Sequence, residues 1–223
     1  MKENITIRDI DAVIFDMDGV IFDSERVFLE CCIEAGKRFN LERVEEVCLL
    51  CVGITSEMTE KLLLEEYGPD FPLKEFRSDS MEFFWKRYDE EGQLPVKTGV
   101  RELLELLSEQ GRPLAIASST KSDVVKRQLK DAGLLDFFDK VIGGEQVSRS
   151  KPEPDIFLSA AKALGVAPEK CLVIEDSHNG IRAAHTAGMI PIMVPDLLPV
   201  TDEMKEKAWK IFPSLVEVAE LFR

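Results

Sequence analysis

Asp16 and Asp18 lie two residues apart in the stretch DAVIFDMDGV, and Gly19 follows to let the backbone turn away. Carboxylates at that spacing, in an extended or turning segment, can face one cavity. Away from water they repel each other unless one is protonated or a cation lies between them. Oxygen ligands of this kind favour Mg²⁺, which takes a few carboxylates and keeps room for water and phosphate oxygens. Asp is also common in turns and at helix starts, so the pair taken alone fits a cap equally well. Three further groups have the types that phosphate or metal chemistry requires: Ser118 with Ser119, Lys151 with a proline after it, and Glu175 with Asp176. Each also has a plain structural reading, as a helix cap, a solvated lysine or the start of a helix.

The elements that would hold these residues follow from the hydrophobic pattern. Ala12 to Phe15 is a short apolar run suited to a strand buried on both faces of a parallel sheet. The segments PLAIASS, Lys140 to Gly143, CLVIED and Ile190 to Val194 predict four more strands. Between them, Gly99 to Gly111, Lys121 to Ala132 and IFLSAAKALG predict helices, the first with apolar residues at Val100, Leu103, Leu104 and Leu107. Such alternation builds right-handed crossover units and a parallel sheet covered on both faces, whose ligands bind beyond the carboxyl ends of the strands. The first strand ends at Asp16 and Asp18, the second at Ser118 and Ser119, and the fourth at Glu175 and Asp176, with Lys151 in the loop after the third. The chemically suggestive residues therefore fall on one edge, which unrelated structural accidents would not produce.

From Ser24 through Gln93 the sequence is amphipathic and charged with no strand pattern, and Gly53, Gly68-Pro69, Pro72 and Gly92 break it into helices. The expected architecture is α/β, a Rossmann-like parallel sheet core of residues 1–22 and 94–223 with an α-helical domain inserted at residues 23–93. The 28 basic and 42 acidic residues leave a net charge of −14, which argues against broad contact with nucleic acid or an anionic membrane. An anionic substrate then needs a locally positive pocket. The odd number of cysteines, five, fits reduced thiols. Cys48 and Cys51 form a CxxC not far after Cys31 and Cys32, but all four sit in apolar helical segments, where cysteine serves as a small buried hydrophobe more often than as a zinc ligand. With neither an apolar leader nor a bilayer-length apolar run, the chain is expected to be a full-length cytoplasmic protein, and a monomer.

Taken in order, DMDGV at Asp16 to Val20, ASS ending at Ser119, KPEPDIF from Lys151 and IEDSHNGI from Ile174 resemble the four motifs of the haloacid dehalogenase-like phosphohydrolases. The resemblance covers nearly the whole chain. The helical insertion resembles the small cap of the group that includes β-phosphoglucomutase and phosphoglycolate phosphatase. What this implies is a nucleophilic role for Asp16, which would carry a transient aspartyl-phosphate, and a general acid and base role for Asp18. Mg²⁺ would be held by Asp16, the Asp18 main-chain carbonyl and Asp176, with Glu175 nearby or acting through water. Ser118, Ser119 and Lys151 would bind the phosphoryl group, helped by backbone amides at the start of the helix after the second strand. Asn179 would orient the Asp176 loop, while His178 and His185 on the same helix are read as surface or core residues. The cap, hinged near Val20 to Asp23 and Gln93 to Lys97, would supply specificity through candidates Glu25, Arg26, Thr55 and Ser56.

The leading expectation is a Mg²⁺-dependent phosphatase whose partner is a small-molecule phosphate ester, a sugar or polyol phosphate. The alternatives are a β-phosphoglucomutase-type mutase, a phospho-acceptor signalling domain, and a binding protein that keeps the fold without the chemistry. A receiver domain is smaller, has no cap, and carries its acceptor on a later strand than its acidic pair. The β-phosphoglucomutases have a histidine in the first cap helix and an arginine in the cap loop, places taken here by Phe28 and Ser56. An apolar ring cannot share a proton, and a serine offers no fork for a second phosphate, so hydrolysis is the expected outcome.

Overall fold

The computed structural model describes residues 5–52 and 56–223, the Ser56 side chain excepted. In chain order its elements are β1 (Ala12–Phe15), α1 (Ser24–Arg38), α2 (Val44–Leu50), α3 (Ser56–Tyr67), α4 (Leu73–Glu91), α5 (Val100–Glu109), β2 (Leu114–Ala117), α6 (Ser122–Asp131), β3 (Lys140–Ile142), α7 (Asp155–Leu164), β4 (Cys171–Glu175), α8 (His178–Thr186), β5 (Ile190–Met193), α9 (Asp202–Lys207), β6 (Lys210–Ile211) and α10 (Leu215–Glu220). The chain divides into two compact units, one of Met1–Phe22 with Pro95–Arg223 and one of Asp23–Leu94.

The first unit is built on one parallel sheet in the order β3-β2-β1-β4-β5-β6. Apolar runs without alternation suit its central strands because both faces are covered: every residue of β1, β2, β4 and β5 is buried. On one face Ala12, Ile14, Ala115, Ala117, Cys171 and Val173 pack against Ile156, Phe157, Ala160 and Ala161 of α7 and Ala183 and Ala184 of α8. Small residues on the strands let Phe157, fully buried, lie close to the sheet. Val13, Phe15, Leu114, Ile116, Leu172 and Ile174 point the other way by strand alternation and are also buried. In α5 the stripe Val100, Leu103, Leu104 and Leu107 is buried as its helical spacing requires.

The third strand and the far edge of the sheet differ from the sequence reading. The third strand stops at Ile142, and Gly143 opens a 3₁₀ turn over Gly144–Gln146. A sixth strand, β6, was absent from that reading because its two residues, one of them an exposed lysine, make no apolar run; pairing with β5 alone defines it.

The second unit, described by itself, has four helices among its described residues, α1 to α4, and its own apolar cluster: Cys32, Ala35, Val44, Val47, Leu63, Phe71, Leu73 and Phe76. Cys48 and Cys51 pack against that cluster, half-buried, and burial pushes the Cys31 and Cys51 thiols up. Edge-on pairs of Phe28 with Phe84 and of Phe39 with Phe76 add directional contact. Gly53 and Thr55, named above as a helix break and a candidate contact, lie outside the described residues.

Candidate active site

Strand register sets the site. Phe15 is level with Ile116 of β2 and with Ile174 of β4, so the next residues in each strand, Asp16, Ala117 and Glu175, reach the carboxyl edge side by side. Asp16 still belongs to the ladder, its amide donating to the Ile174 carbonyl at 3.0 Å. The chain then turns at once: the amides of Val20, Ile21 and Phe22 all donate to the Met17 carbonyl, and Gly19 has φ +78°. A Cβ at Gly19 would stand 2.4 Å from Asp176 Oδ2, so the turn needs glycine both for its backbone and for the close approach of Asp176.

Lys151 joins the two acids. Its Nζ donates to Asp16 Oδ1 at 2.5 Å, to Glu175 Oε1 at 2.7 Å and to the Ala117 carbonyl at 3.3 Å. All three side chains are nearly inaccessible, at 8%, 9% and 1% for Lys151, Asp16 and Glu175. The other oxygen of Glu175 accepts from the amide and hydroxyl of Ser177 at 2.7 and 3.0 Å, and the Ser177 hydroxyl in turn caps α8 by accepting from the Gly180 amide. Glu175 is thus spent on holding Lys151 and the start of α8. Burial pushes Asp16 up, and the Glu175 and Asp18 carboxylates add to it, so that against the pull of Lys151 it reaches about 8. Burial alone would lower Lys151, but the attraction of Asp16 and Glu175 outweighs it and holds the ammonium above its ordinary value.

Asp16, Glu175 and Asp176 each bring a carboxylate oxygen within 4.8 Å of the others, and all three are buried. The acids outnumber Lys151, and an oxygen-only donor set of this kind fits a hard divalent cation such as Mg²⁺.

The hydroxyls are arranged around Asp18. Ser118, fully buried, donates to Asp18 Oδ2 at 3.3 Å and accepts from the Thr120 amide at 3.0 Å. The Thr120 hydroxyl donates to the same Asp18 oxygen at 2.9 Å. Sequence reading stopped at Ser119 and missed Thr120; its signal was the run of three hydroxyl residues after a buried strand. Ser119 itself is exposed. The expectation that amides at the start of α6 are open to phosphate needs correction at one of them: the Ser122 amide already donates to both carboxylate oxygens of Glu145, at 3.1 and 3.2 Å. Asn179 accepts from Arg182 Nη1 at 2.9 Å, and Arg182 forks onto Glu203 of α9. His178 meets the Pro199 carbonyl at 2.8 Å. In the helical unit, Arg26 pairs with Asp23 at 3.2 Å.

A sequence model described as haloacid dehalogenase-like hydrolase matches residues 13–194. The phosphorylated carbohydrates phosphatase of Thermotoga maritima is 34% identical over 186 residues, covering 81% of this chain and 82% of that protein. The bifunctional riboflavin kinase/FMN phosphatase of Arabidopsis thaliana is 34% identical over 171 residues, 76% of this chain but only 44% of that longer protein. Among solved structures, CbbY from Rhodobacter sphaeroides in complex with phosphate superposes with a TM-score of 0.74 at 25% identity, over 94% of this chain and 96% of that one. The matched segment begins inside β1, ends just after β5 and takes in Asp16, Asp18, Ser118, Lys151, Glu175 and Asp176, and on that match the chain belongs to the haloacid dehalogenase-like hydrolases.

Proposed function

We propose that this chain hydrolyses phosphate monoesters of small metabolites, a sugar or polyol phosphate, through an aspartyl-phosphate on Asp16. The observation that carries the reading is the buried Asp16–Lys151–Glu175 arrangement at the carboxyl edge of a parallel sheet, with Asp18 and its hydroxyl donors beside it. Asp16 attacks phosphorus and the P–O bond to the leaving alkoxide breaks, while Asp18 supplies that alkoxide with a proton. In the second half, Asp18 takes a proton from water as the water attacks phosphorus, and the bond to Asp16 breaks to release phosphate. Ser118 and Lys151 hold the equatorial oxygens of the transferring group. Asp16, Asp176 and the Asp18 carbonyl would hold Mg²⁺, which when bound neutralises charge on the phosphoryl oxygens. Release of p-nitrophenol from p-nitrophenyl phosphate is the direct test. EDTA should stop it, Mg²⁺ restore it and Ca²⁺ inhibit it, and full activity in EDTA would overturn the metal-dependent reading.

Hydrolysis is favoured over phosphoryl transfer within a sugar by Phe28, whose half-buried ring packs edge-on against Phe84 at 6.1 Å and offers no group that could share a proton. Incubation with β-glucose 1-phosphate and a trace of the 1,6-bisphosphate should yield free phosphate. Glucose 6-phosphate forming much faster would instead make the protein a mutase.

The raised Asp16 has a consequence for stability. Its unfolded value is 3.8 and its folded value about 8, so the metal-free fold binds one more proton than the unfolded chain between those limits. On this account metal-free stability should be greatest below about pH 4 and fall as pH rises toward 8. Mg²⁺ competes with that proton, so saturating Mg²⁺ should raise Tm more at pH 8 than at pH 5, by about 5 °C at the higher pH. Thermal denaturation at both pH values, with and without Mg²⁺, checks this; an equal rise at both would contradict it.

Thr120→Val removes a hydroxyl donor to Asp18 Oδ2 with little change of shape. Turnover should fall about tenfold, the size of one hydrogen bond to a charged group, with the melting temperature nearly unchanged. Wild-type turnover in the variant would remove Thr120 from the machinery.

A further inference from the structure

The helix α6 starts with a lysine at its N-cap, Lys121, and a lysine side chain has no acceptor to offer the first amides of a helix. The acceptor comes from elsewhere. Glu145, 23 residues on in the 3₁₀ turn after β3, places both carboxylate oxygens on the Ser122 amide and accepts from the Ser122 hydroxyl at 2.5 Å. The hydroxyl of Ser122 is the first cause holding the Glu145 carboxyl below its usual range.

Two glycines bring that turn close enough. A Cβ at Gly143 would stand 2.3 Å from the Ser122 nitrogen, and one at Gly144 would stand 2.3 Å from the Ser119 carbonyl oxygen. Backbone bonds complete the contact: the Gly144 amide donates to the Thr120 carbonyl and the Ser118 amide to the Ile142 carbonyl, each at 3.1 Å. The segment 118–122 is therefore gripped at Ser118, Thr120 and Ser122 by residues 142–145. It is the same segment whose Ser118 and Thr120 hydroxyls meet Asp18.

We infer that Glu145 is a positioning residue, which by capping α6 from the neighbouring loop fixes the hydroxyls of Ser118 and Thr120 against Asp18 and the phosphoryl group. This rests on the proposed hydrolytic role of that site. Glu145 reaches neither acid directly; its partner is Ser122, and its influence passes through the backbone of residues 118–122. Glu145 is exposed on a surface turn, and what sets it apart is these contacts; a glutamate there without them could be lost with the segment unchanged.

The test compares Glu145→Ala and Glu145→Gln with the wild-type protein. Gln keeps an acceptor for the Ser122 amide and loses the charge, whereas Ala leaves the amide without its partner. Expected for Glu145→Ala is a fall of about tenfold in kcat for p-nitrophenyl phosphate, with Glu145→Gln within about threefold of wild type. Amide hydrogen exchange, read by NMR, should accelerate at Thr120 and Ser122 in the Ala variant while strands β1 and β4 stay protected. A merely structural contribution would lower Tm and leave kcat of the folded protein intact, and that result overturns the inference. So does wild-type exchange at Thr120 and Ser122 in Glu145→Ala. Absence of turnover in the wild type itself would count against the hydrolytic reading instead, and the exchange data would still decide whether Glu145 holds the segment.

Discussion

Asp16→Asn is expected to lose turnover by a factor on the order of 10⁴ or more while the protein stays folded, and with a melting temperature equal to or above that of the wild type. The amide is nearly isosteric with the carboxylate, and its oxygen can still accept from Lys151 Nζ, which lies 2.5 Å from Asp16 Oδ1. What it lacks is the nucleophile. It also lacks a charge that the fold holds at some cost, since burial and the Glu175 and Asp18 carboxylates push Asp16 up to about 8. Removing one of several crowded acids relieves that repulsion, so activity and stability should move in opposite directions. Rates with p-nitrophenyl phosphate, beside thermal melts of the same samples, make the comparison. Activity within tenfold of wild type would remove Asp16 from the role of nucleophile.

Lys151→Ala should act on both properties in the same direction. The ammonium is the buried donor that Asp16 and Glu175 share, and taking it away leaves two carboxylates of 9% and 1% exposure without it. Breaking a buried ion pair from one side costs about 3–5 kcal/mol, and the loss should be larger at pH 8 than at pH 5, where protonation of Asp16 relieves it. The phosphoryl oxygens lose a cationic donor as well, so kcat/KM should fall by about 10²–10³-fold. Urea denaturation at the two pH values checks the first effect and steady-state kinetics the second. A variant as stable as the wild type at pH 8 would show that the ion pairs contribute nothing net to folding.

Much of this arrangement was legible before any fold was known. Apolar runs at Ala12, Leu114 and Cys171 each end in polar residues, and parallel strands present their carboxyl ends on one edge, so Asp16, Ser118 and Glu175 had to meet there. The stripe of α5 and the strand–helix alternation needed only periodicity. Contacts that depend on loop paths were not legible. Nothing in the spacing of Lys151 and Glu175, 24 residues apart, says that one oxygen of the glutamate holds the lysine while the other holds the Ser177 cap.

What the sequence determined by itself is therefore the order of elements, the buried strands and the identity of the acids, lysine and hydroxyls at their ends, because hydrophobic period and chain direction are local properties. Tertiary structure alone decided which hydroxyls face Asp18, since Ser119 and Thr120 are neighbours in sequence but Ser119 is exposed while Thr120 donates to Asp18 at 2.9 Å. It also decided that β6 joins the sheet and that Glu145 caps α6, because each depends on backbone groups brought together from distant parts of the chain. The reason is physical: a strand or helix announces itself through the side chains it buries, whereas a hydrogen bond across two loops is set by where the packed elements leave those loops.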